Sequence, residues 1–326
     1  MQHCMTTEHY NNFFDNRTLL VTGGAGFIGS AIATKLVSLG ANVRIIDNFS
    51  TGHKSNLDAL DVEIFESSIL NERILSKALA NCDCVFHLAA MVSVPASVED
   101  PKRCFEINTR GTRLVLQCAA EAKVRRVLFA ASSAAYGPNA ALPSNETMTP
   151  DPASPYAESK IAGEEAILDC SNNSETDAAS LRYFNIFGAT QDPHSQYAAV
   201  VAAFMKALRE KRNPQIYGDG TQTRDFTYID NAVHANLLAA SNALPLRGEV
   251  FNIGTGFSFS LLEMLDTMAK ALNMKPTIDF HPSREGDVPH SCADISKARN
   301  AFGYEPVVLF EEGISRLFTG FAGLPA

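Results

Sequence analysis

The stretch VTGGAGFIGS, residues Val21 to Ser30, carries three glycines at three-residue intervals, Gly23, Gly26 and Gly29. Apolar residues typical of strands precede it and apolar residues at helical spacing follow it, so the glycines lie at a predicted strand-to-helix turn. Glycine allows backbone dihedrals closed to other residues, close approach of a pyrophosphate, and tight packing of the helix on the strand. Free N–H groups at the helix N-terminus attract phosphate. The stretch predicts a dinucleotide-binding turn, and a tight turn without a ligand is the alternative.

Asp47 ends the next predicted strand, in ANVRIIDNFSTG, about 20 residues beyond the glycines, where an acidic side chain can accept hydrogen bonds from ribose hydroxyls. A carboxylate at this place repels a 2′-phosphate, so we expect NAD rather than NADP. A turn or cap role for Asp47 is the alternative.

The composition is that of an ordinary globular chain, with 326 residues, of which 46% are hydrophobic and 19% charged. Its net charge of −9 argues against nucleic acid or an anionic membrane surface as partner. No apolar run has membrane-spanning length and residues 1–16 do not resemble a signal peptide, so we expect a cytoplasmic protein. Its seven cysteines show no paired CxxC, which predicts reduced thiols and no metal site.

Strands and helices alternate along the first half of the chain, which predicts a doubly wound parallel α/β sheet. The predicted strands are 17–23, 42–47, 62–65, 83–89, 126–132 and 179–184, and the predicted helices are 28–39, 71–80, 104–122 and 156–170. We expect a Rossmann domain over 1–184 and a smaller C-terminal substrate-binding α/β lobe over 185–326. A segment near 225–255 is expected to return to the first domain.

The stretch SPYAESK places Tyr156 and Lys160 four residues apart at the start of a predicted helix, so both project from one face. An ammonium near a phenol lowers the phenol pKa and favours a base that can take a proton from a sugar hydroxyl. Ser132 and Ser133 end the strand in FAASS, where substrate would lie. An ordinary surface Tyr–Lys pair and serines that only cap a turn are the alternatives.

Together these motifs resemble the extended short-chain dehydrogenase/reductase family and, within it, the nucleotide-sugar 4-epimerases, from about residue 17 to 305. The resemblance is carried by TGGAGFIGS, Asp47-Asn48, HLAA at 87–90, Ser132 four residues before Tyr136-Gly137, Tyr156-x-x-x-Lys160, and LRYFNIFG at 181–188. It implies that Tyr156 is the catalytic base and that Lys160 is its electrostatic partner and a ligand of the nicotinamide ribose. It also implies that Ser132 hydrogen-bonds the reacting sugar hydroxyl, and that His87 is structural.

The same resemblance implies an NAD site and a site for a nucleoside diphosphate sugar, most simply a UDP-sugar. The implied NAD contacts are Gly23, Gly26, Phe27, Ile28, Gly29, Asp47, Asn48, Ser50, Thr51, Gly52, Ser68, Ile69, Leu88, Ala89, Ala90, Asn108, Tyr156, Lys160 and Tyr183. The implied substrate contacts are Ser93, Ser132, Ser133, Asn185, Ala199, Val200, Tyr217, Arg224, Arg284, Asp287 and Ser291. Ser68 departs from the family, which usually has an aspartate near the adenine, although a serine can still hydrogen-bond there.

Three positions bear on which sugar is bound. The resemblance matches Arg224 and Arg284 to positions that hold the substrate diphosphate. Arginine suits phosphate because its planar fork donates two parallel hydrogen bonds; solvated surface charges are the alternative. Ser291 stands where family members restricted to unacetylated sugars carry a Tyr, so an acetamide at C2 would fit. The resemblance thus points to UDP-N-acetylglucosamine and UDP-N-acetylgalactosamine or their uronic acids, as in bacterial N-acetylhexosamine epimerases. A surface-loop Ser291 without substrate contact is the alternative.

In such enzymes the base takes the O4 proton while a hydride leaves C4 for NAD, and the resulting 4-keto sugar takes the hydride back on its other face. Another UDP-sugar 4-epimerase, for glucose and galactose or for glucuronate, is the first alternative. A 4,6-dehydratase would carry an Asp-Glu pair at Ser133 and Ala134, and a non-catalytic NAD-binding regulator would not need the intact Tyr156, Lys160 and Ser132. We expect a homodimer formed by the helices at 104–122 and 156–170.

Overall fold

Strands and helices alternate from Thr18 onward in the computed structural model, which describes residues 10, 12–191, 200–283 and 288–319. The elements of the first half are β1 (Thr18–Thr22), α1 (Phe27–Ser38), β2 (Asn42–Asp47), β3 (Val62–Glu66), α2 (Glu72–Leu79), β4 (Cys84–His87), α3 (Val94–Glu99), α4 (Pro101–Phe105), α5 (Gly111–Glu121), β5 (Arg126–Ser132), α6 (Pro155–Asn173) and β6 (Asp177–Tyr183). Those of the second half are β7 (Ile186–Phe187), α7 (Val200–Arg209), β8 (Gln215–Tyr217), β9 (Thr223–Arg224), β10 (Thr227–Tyr228), α8 (Ile229–Ser241), β11 (Val250–Ile253), β12 (Phe259–Ser260), α9 (Leu261–Ala271), β13 (Asp279–His281), α10 (Ser296–Phe302) and α11 (Phe310–Thr319).

The central sheet has seven parallel strands in the order β11-β6-β5-β4-β1-β2-β3. The chain runs outward from β1 through β2 to β3, then crosses back to β4 and continues through β5 to β6 in the opposite direction. This reversal makes the sheet doubly wound, as predicted from the alternating pattern. A crevice opens between the carboxyl ends of β1 and β4, where ligands of such sheets bind.

Both faces of the sheet are covered, which explains the nearly continuous apolar strands. In β1, Leu19 and Val21 face one apolar core and Leu20 faces the other, because successive side chains of a strand alternate between faces. All three are fully buried. The sheet therefore forms a rigid base for the loops at its carboxyl edge.

The predicted helix over 104–122 is wrong in one respect, because the structure divides it. The helix α4 ends at Phe105, a π-helical turn follows over Glu106–Arg110, and α5 begins at Gly111. A Cβ on Gly111 would lie 2.6 Å from Cδ1 of Ile69, so this turn approaches the segment after β3 closely. The extra residue of a π turn redirects side chains, and such turns are frequent at functional sites.

The second half builds short two-stranded pairs, β10 with β7, β12 with β9 and β13 with β8. The stretches GDGTQTRDFTY and HPSREGDVPHS, which are rich in the turn-forming and charged residues typical of loops, contribute β9, β10 and the last residue of β13. Residues after Val288 run beside β9, since Thr223 N–H donates to Pro289 O and Ser291 N–H donates to Thr223 O, over 3.0 and 3.1 Å. Two-residue strands lack a periodic signal, which is why the pattern missed them. In the described part of the chain, no helix has the length and apolar character needed to cross a membrane.

Candidate active site

The glycine turn lies at the crevice, and a side chain would meet different surroundings at each of its three glycines. Gly23 has φ +69°, and a Cβ there would lie 2.8 Å from the backbone nitrogen of Ala89. A Cβ on Gly29 would lie 2.2 Å from the carbonyl oxygen of Gly23, so the first turn of α1 packs directly on the loop. At Gly26 the nearest atom to an added Cβ is 3.2 Å away. Two of the glycines are thus required by packing, and the third leaves room above the turn.

The N-terminus of α1 has no side-chain cap, as is also the case for α5, α8 and α10. Side chains cap α2, α3, α4, α6 and α9, namely Asn71, Ser93, Asp100, Ser154 and Ser260. The N-cap of α1 is Gly26, which provides no side-chain hydrogen bond. The first-turn N–H groups of a helix lack intrahelical partners, and an anion is a suitable acceptor for them. The residues of this turn therefore fit a dinucleotide pyrophosphate.

Asp47, the last residue of the adjacent strand β2, accepts a hydrogen bond from the backbone of the glycine turn. One carboxylate oxygen accepts the Ala25 N–H over 2.9 Å and the other accepts the Phe49 N–H over 2.8 Å. The side chain is 8% exposed, and a carboxylate has about four lone-pair sites, so it can still accept from a ribose. The turn role that the sequence left open is thus present, and it does not exclude a ribose contact.

The neighbouring predicted cofactor residues lie along the same edge of the sheet. The segment with Asn48, Ser50, Thr51 and Gly52 packs against the glycine turn, because a Cβ on Gly52 would lie 2.8 Å from the carbonyl carbon of Ala25. Ser68 and Ile69 follow β3, and the hydroxyl of Ser68 accepts the Leu70 N–H over 3.2 Å. Leu88, Ala89 and Ala90 follow β4, and the N–H groups of Leu88 and Ala89 donate to Thr22.

His87 at the end of β4 is an interior, neutral residue. Its ring nitrogens lie 2.7 Å from the Thr22 hydroxyl and 2.9 Å from the Thr112 hydroxyl, and the residue is 1% exposed. Burial, together with the charge of Lys160, lowers the His87 pKa to about 3. The side chain therefore fixes the end of β4 against β1 and α5.

Tyr156 and Lys160 lie one turn apart on α6 and both face the carboxyl end of β5. The Lys160 Nζ donates to the carbonyl oxygen of Ala130 over 2.7 Å and lies 5.9 Å from the centre of the Tyr156 ring. It also lies 4.8 Å from the centre of the Phe129 ring. Burial lowers the pKa of Lys160 to about 8. The Lys160 amine and the Tyr156 ring are therefore neighbours at the carboxyl edge of the sheet.

The expected lowering of the Tyr156 pKa is wrong in this structure. Burial raises it, because the phenolate is more heavily penalised by desolvation than the phenol. The hydrogen bond with Ser132 acts in the other direction and lowers the pKa. Burial thus disfavours the charged forms of both Tyr156 and Lys160, and hydrogen bonding from Ser132 favours the phenolate.

Ser132 has the turn-capping role that the sequence offered as the alternative, and it also contacts Tyr156. Its hydroxyl accepts the Ala134 N–H over 3.2 Å, which caps the turn after β5, and it also reaches Tyr156. Ser133 begins that turn and is partly exposed at the same edge. Tyr183 is paired in register with Ser132, but its hydroxyl accepts a hydrogen bond from Asn236 over 2.7 Å in the interior. The side-chain hydrogen bond of Tyr183 is therefore internal to the fold.

Asn108 lies in the π turn and is 1% exposed. Its side-chain oxygen accepts the Met91 N–H over 2.7 Å, and its Nδ2 donates to the Met91 carbonyl over 3.0 Å and to the Ser159 hydroxyl over 2.9 Å. The amide of Asn108 thus organises the segment after β4 rather than projecting outward.

Three predicted substrate residues meet in the second half of the chain. Asn185 has φ +35°, and its Nδ2 donates to the Ser291 hydroxyl and to the Asp225 carbonyl, each over 3.2 Å. Arg224 donates through Nη1 to the Pro289 carbonyl over 3.2 Å, in the segment that leads to Ser291. The structure therefore brings Asn185, Arg224 and Ser291 into one group.

Other predicted substrate residues are placed separately. Ser93 caps α3 by accepting the Ala96 N–H over 3.0 Å, and Val200 is the first residue of α7. The ring of Tyr217 stacks on His281, with centres 5.2 Å apart and planes at 27°. Ala199, Arg284 and Asp287 lie outside the described residues. In the described part of the chain, His, Cys, Asp and Glu side chains form no cluster of three or more suited to a metal ion.

Asp225 is an organising residue that sequence reasoning missed. It is fully buried, and its carboxylate accepts the Thr255 N–H, the Thr255 hydroxyl, the Gly256 N–H and the Ala293 N–H over 2.7–3.1 Å. Burial raises its pKa, and these hydrogen bonds lower it. Asp225 fixes the segment that carries Ser291 next to Arg224. The signal was an acidic residue directly after the arginine in TQTRDFTY, which is ambiguous by itself.

Comparison with known proteins adds independent findings. The model of the NAD dependent epimerase/dehydratase family matches residues 19–254. The UDP-glucose 4-epimerase of Mycolicibacterium smegmatis is 37% identical over 91% of this chain and 96% of its own length. Among solved structures, a UDP-N-acetylglucosamine 4-epimerase from Methanobrevibacter ruminantium in complex with UDP-N-acetylmuramic acid superposes with a TM-score of 0.89, at 34% identity over 94% of this chain and 98% of that one. A UDP-glucuronic acid 4-epimerase from Bacillus cereus, in complex with UDP-glucuronic acid and NAD, superposes with a TM-score of 0.85, at 31% identity over 93% of this chain and 98% of that one.

Proposed function

The chain belongs to the NAD-dependent epimerase/dehydratase family, and from this premise we propose that it is an NAD-dependent 4-epimerase of UDP-hexoses. Its relatives and structural neighbours include 4-epimerases named for UDP-glucose, UDP-N-acetylglucosamine and UDP-glucuronic acid. Within that range, we propose that it interconverts UDP-N-acetylglucosamine and UDP-N-acetylgalactosamine, or their uronic acids.

One observation carries the choice of sugar. Ser291 lies next to Asn185 and near Arg224, two residues that the resemblance implies in binding sugar and diphosphate. The side chain beside them is therefore a small hydroxyl and not the aromatic ring of a tyrosine. A C2 acetamide needs volume that a tyrosine at this position would fill. The resemblance to the 4-epimerases also matches the exposed, uncharged Val92 to a lysine of the galactose enzymes.

In this proposal, Tyr156, Ser132 and Lys160 carry the proton chemistry. Tyr156 accepts the O4 proton, and Ser132 donates a hydrogen bond that favours the phenolate. Lys160 lies one helical turn from Tyr156, with its amine 5.9 Å from the ring centre, and we assign it to the nicotinamide ribose. A bound NAD would supply the site that takes up the hydride from C4 and gives it back on the other face of the ring. Tyr156 then gives the proton back to O4, so protons and electrons balance over a turnover.

The alternatives are less well supported by the site. A 4,6-dehydratase needs carboxyl groups directly after the hydroxyl residue, and here Ser133 and Ala134 begin a short helical turn without them. Members that act on UDP-glucose or UDP-glucuronate use the same chemistry and differ in the pocket. A non-catalytic NAD-binding regulator would not need the Tyr156, Lys160 and Ser132 arrangement.

Incubation with a panel of UDP-sugars, with products resolved by NMR, tests the proposal. We expect inversion at C4 only and fastest turnover for an N-acetylated sugar. Transient NADH absorbance on mixing would report the hydride transfer that a binder cannot perform. A product with water eliminated, or no reaction and no absorbance change for any sugar, would overturn the proposal.

We further propose a homodimer, a cytoplasmic location, and a cofactor domain over 1–184 with a substrate lobe over 185–326. Leu168 on α6 is exposed, and Leu114 and Ile161 are partly exposed on α5 and α6, which supports pairing through these helices. A monomer by light scattering at micromolar concentration would contradict the dimer. The six described cysteines are free thiols, which supports a reducing compartment. Pairing of β11 with β6 supports the return of the segment near 225–255 to the first domain.

A further inference from the structure

Both backbone polar groups of Tyr156 are bound by buried serine hydroxyls. The Tyr156 N–H donates to Oγ of Ser97 over 3.1 Å, and Oγ of Ser159 donates to the Tyr156 carbonyl over 2.7 Å. Ser97 and Ser159 are both 0% exposed. The main chain that carries the phenol is therefore held on both sides of its Cα.

The bond from Ser97 comes from a different helix. Tyr156 lies in the first turn of α6, where N–H groups have no intrahelical acceptor. Ser154, the N-cap of α6, accepts the Ala157 N–H over 3.2 Å, so the Tyr156 N–H is bound instead by Ser97 on α3. The Ser97 hydroxyl donates to the Val94 carbonyl over 2.6 Å, which orients its lone pairs toward Tyr156.

The bond on the carbonyl side leads to the same part of the chain. Ser159 accepts a hydrogen bond from Asn108, and Asn108 binds both the N–H and the carbonyl of Met91. Met91 and Ser97 bracket the segment that follows β4, which includes Ser93. Two independent hydrogen-bonded connections therefore fix the main chain of Tyr156 relative to the segment at the sheet crevice.

We propose that Ser97 is a positioning residue for Tyr156, which sets the phenol relative to the substrate-side segment after β4; this rests on the proposed function, in which Tyr156 accepts the O4 proton. Proton transfer requires heavy atoms within about 3 Å, and a misplacement of about 1 Å can reduce a rate by roughly 10²-fold. Removing the Ser97 hydroxyl frees one side of the Tyr156 backbone and leaves all reacting groups present.

A matched pair of variants separates positioning from helix stability. Ser97→Ala and Ser154→Ala each remove one hydroxyl acceptor from the first turn of α6, but only the first bond belongs to Tyr156. We expect similar losses of thermal stability in the two variants. We expect Ser97→Ala to lower kcat for 4-epimerisation by about 10- to 100-fold with KM within about 3-fold, and Ser154→Ala to keep kcat within about 3-fold.

Amide hydrogen exchange of the wild-type protein and of both variants, resolved by NMR, gives a readout without any sugar. We expect the Tyr156 amide to exchange at least about 10-fold faster in Ser97→Ala and to be little changed in Ser154→Ala, because protection follows the bonded amide. An unchanged Tyr156 amide in Ser97→Ala, or equal kcat losses in the two variants, overturns the positioning role. Wild-type protein that turns over no UDP-sugar overturns the proposed function instead, and the amide exchange still decides whether Ser97 holds Tyr156.

Discussion

Asn185 Nδ2 donates a hydrogen bond to the Ser291 hydroxyl over 3.2 Å, although the two residues are 106 positions apart in the chain. The segment that carries Ser291 is held there by two further contacts, the Ser291 N–H to Thr223 and the Ala293 N–H to the buried Asp225. The position of residue 291 is therefore fixed by backbone contacts that do not depend on its side chain. A larger side chain at this position would occupy the space beside Asn185.

Ser291→Tyr is expected to reduce epimerisation of N-acetylated UDP-sugars by at least about 10-fold and to change turnover of UDP-glucose by less than about 3-fold. The ring would fill the volume that a C2 acetamide needs, whereas a C2 hydroxyl is small. Coupled assays on both substrates measure the ratio, with Ser291→Ala as the control that removes the bond to Asn185 without adding bulk. Equal effects on both sugars, or none on either, would contradict the proposal that the small side chain of Ser291 leaves room for the acetamide.

Tyr156→Phe is expected to lower kcat by about 10²-fold or more, on the order of 3 kcal/mol, because it removes the proton acceptor and keeps the ring. UDP-sugar affinity, measured by calorimetry, should remain within about 3-fold of the wild-type value. Tyr304→Phe is the matched control, since it removes a buried hydroxyl that donates to the Gly254 carbonyl and lies outside the proposed site. Near-normal kcat in Tyr156→Phe would contradict the proposed proton transfer.

The pKa of His87 predicts an acid-sensitive stability. It is lowered from 6.5 to about 3, so between these values the unfolded chain binds a proton that the folded protein does not. The free energy of unfolding should therefore fall as pH decreases from about 6.5 toward 3, and one pKa unit corresponds to about 1.4 kcal/mol. His87→Gln keeps a side chain that can hydrogen-bond but does not titrate. In this variant the free energy of unfolding, measured with denaturant across the pH range, should fall less steeply as pH decreases. His53→Gln, at an exposed histidine, is the control for substituting a histidine elsewhere in the chain. The same slope in all three proteins would show that His87 is not the titrating group.

Local signals in the sequence predicted several residues that the structure brings to the carboxyl edge of the sheet. The glycine turn, Asp47 at the end of β2, and Tyr156 with Lys160 on α6 each depend on spacing within one or two adjacent elements, which periodicity detects. Contacts between distant segments were not accessible in this way. Arg126 is buried because its guanidinium donates to carbonyls at the end of α8, 113 to 118 residues away, and its sequence context gave no sign of this.

The errors share this physical origin. The stretch 104–122 has an apolar pattern through its whole length, so periodicity predicts one continuous helix. The structure has a π turn there, with Asn108 hydrogen-bonded to Met91 and Gly111 close to Ile69. These contacts come from distant segments, which periodicity does not encode. The raised pKa of Tyr156 depends on how deeply neighbouring elements bury it. Spacing identifies which groups are adjacent, while the packed structure determines the balance between desolvation and charge.

Asp47 is expected to make the protein prefer NAD over NADP. Its carboxylate is fixed by the amides of Ala25 and Phe49, so it cannot turn away from a 2′-phosphate without losing both bonds. Calorimetric titration should show tighter binding of NAD than of NADP. Asp47→Asn should reduce the ratio of the two affinities by about 10-fold or more, because the repulsion between the carboxylate and the 2′-phosphate is removed. Stronger binding of NADP to the wild-type protein would overturn this assignment.

Gly26 and Gly29 provide a matched test of which glycines serve the fold and which serve the cofactor. An added Cβ at Gly29 would lie 2.2 Å from the Gly23 carbonyl oxygen, and one at Gly26 would lie 3.2 Å from that same atom. Gly29→Ala must therefore move the helix off the loop, and it should lower the free energy of unfolding by about 3 kcal/mol or more. Gly26→Ala requires a shift of only a few tenths of an ångström, so its loss of stability should stay below about 1 kcal/mol.

The cofactor readout should separate the same two variants. The methyl group of Gly26→Ala would stand where a pyrophosphate approaches the N-terminus of α1, so we expect NAD affinity to fall by about 10-fold or more while the protein stays folded. Denaturant unfolding and calorimetric titration with NAD measure the two effects independently. If Gly26→Ala bound NAD as tightly as the wild-type protein, the pyrophosphate would not bind at the N-terminus of α1 beside Gly26. If it were destabilised as much as Gly29→Ala, the turn would be tighter at Gly26 than its contacts indicate.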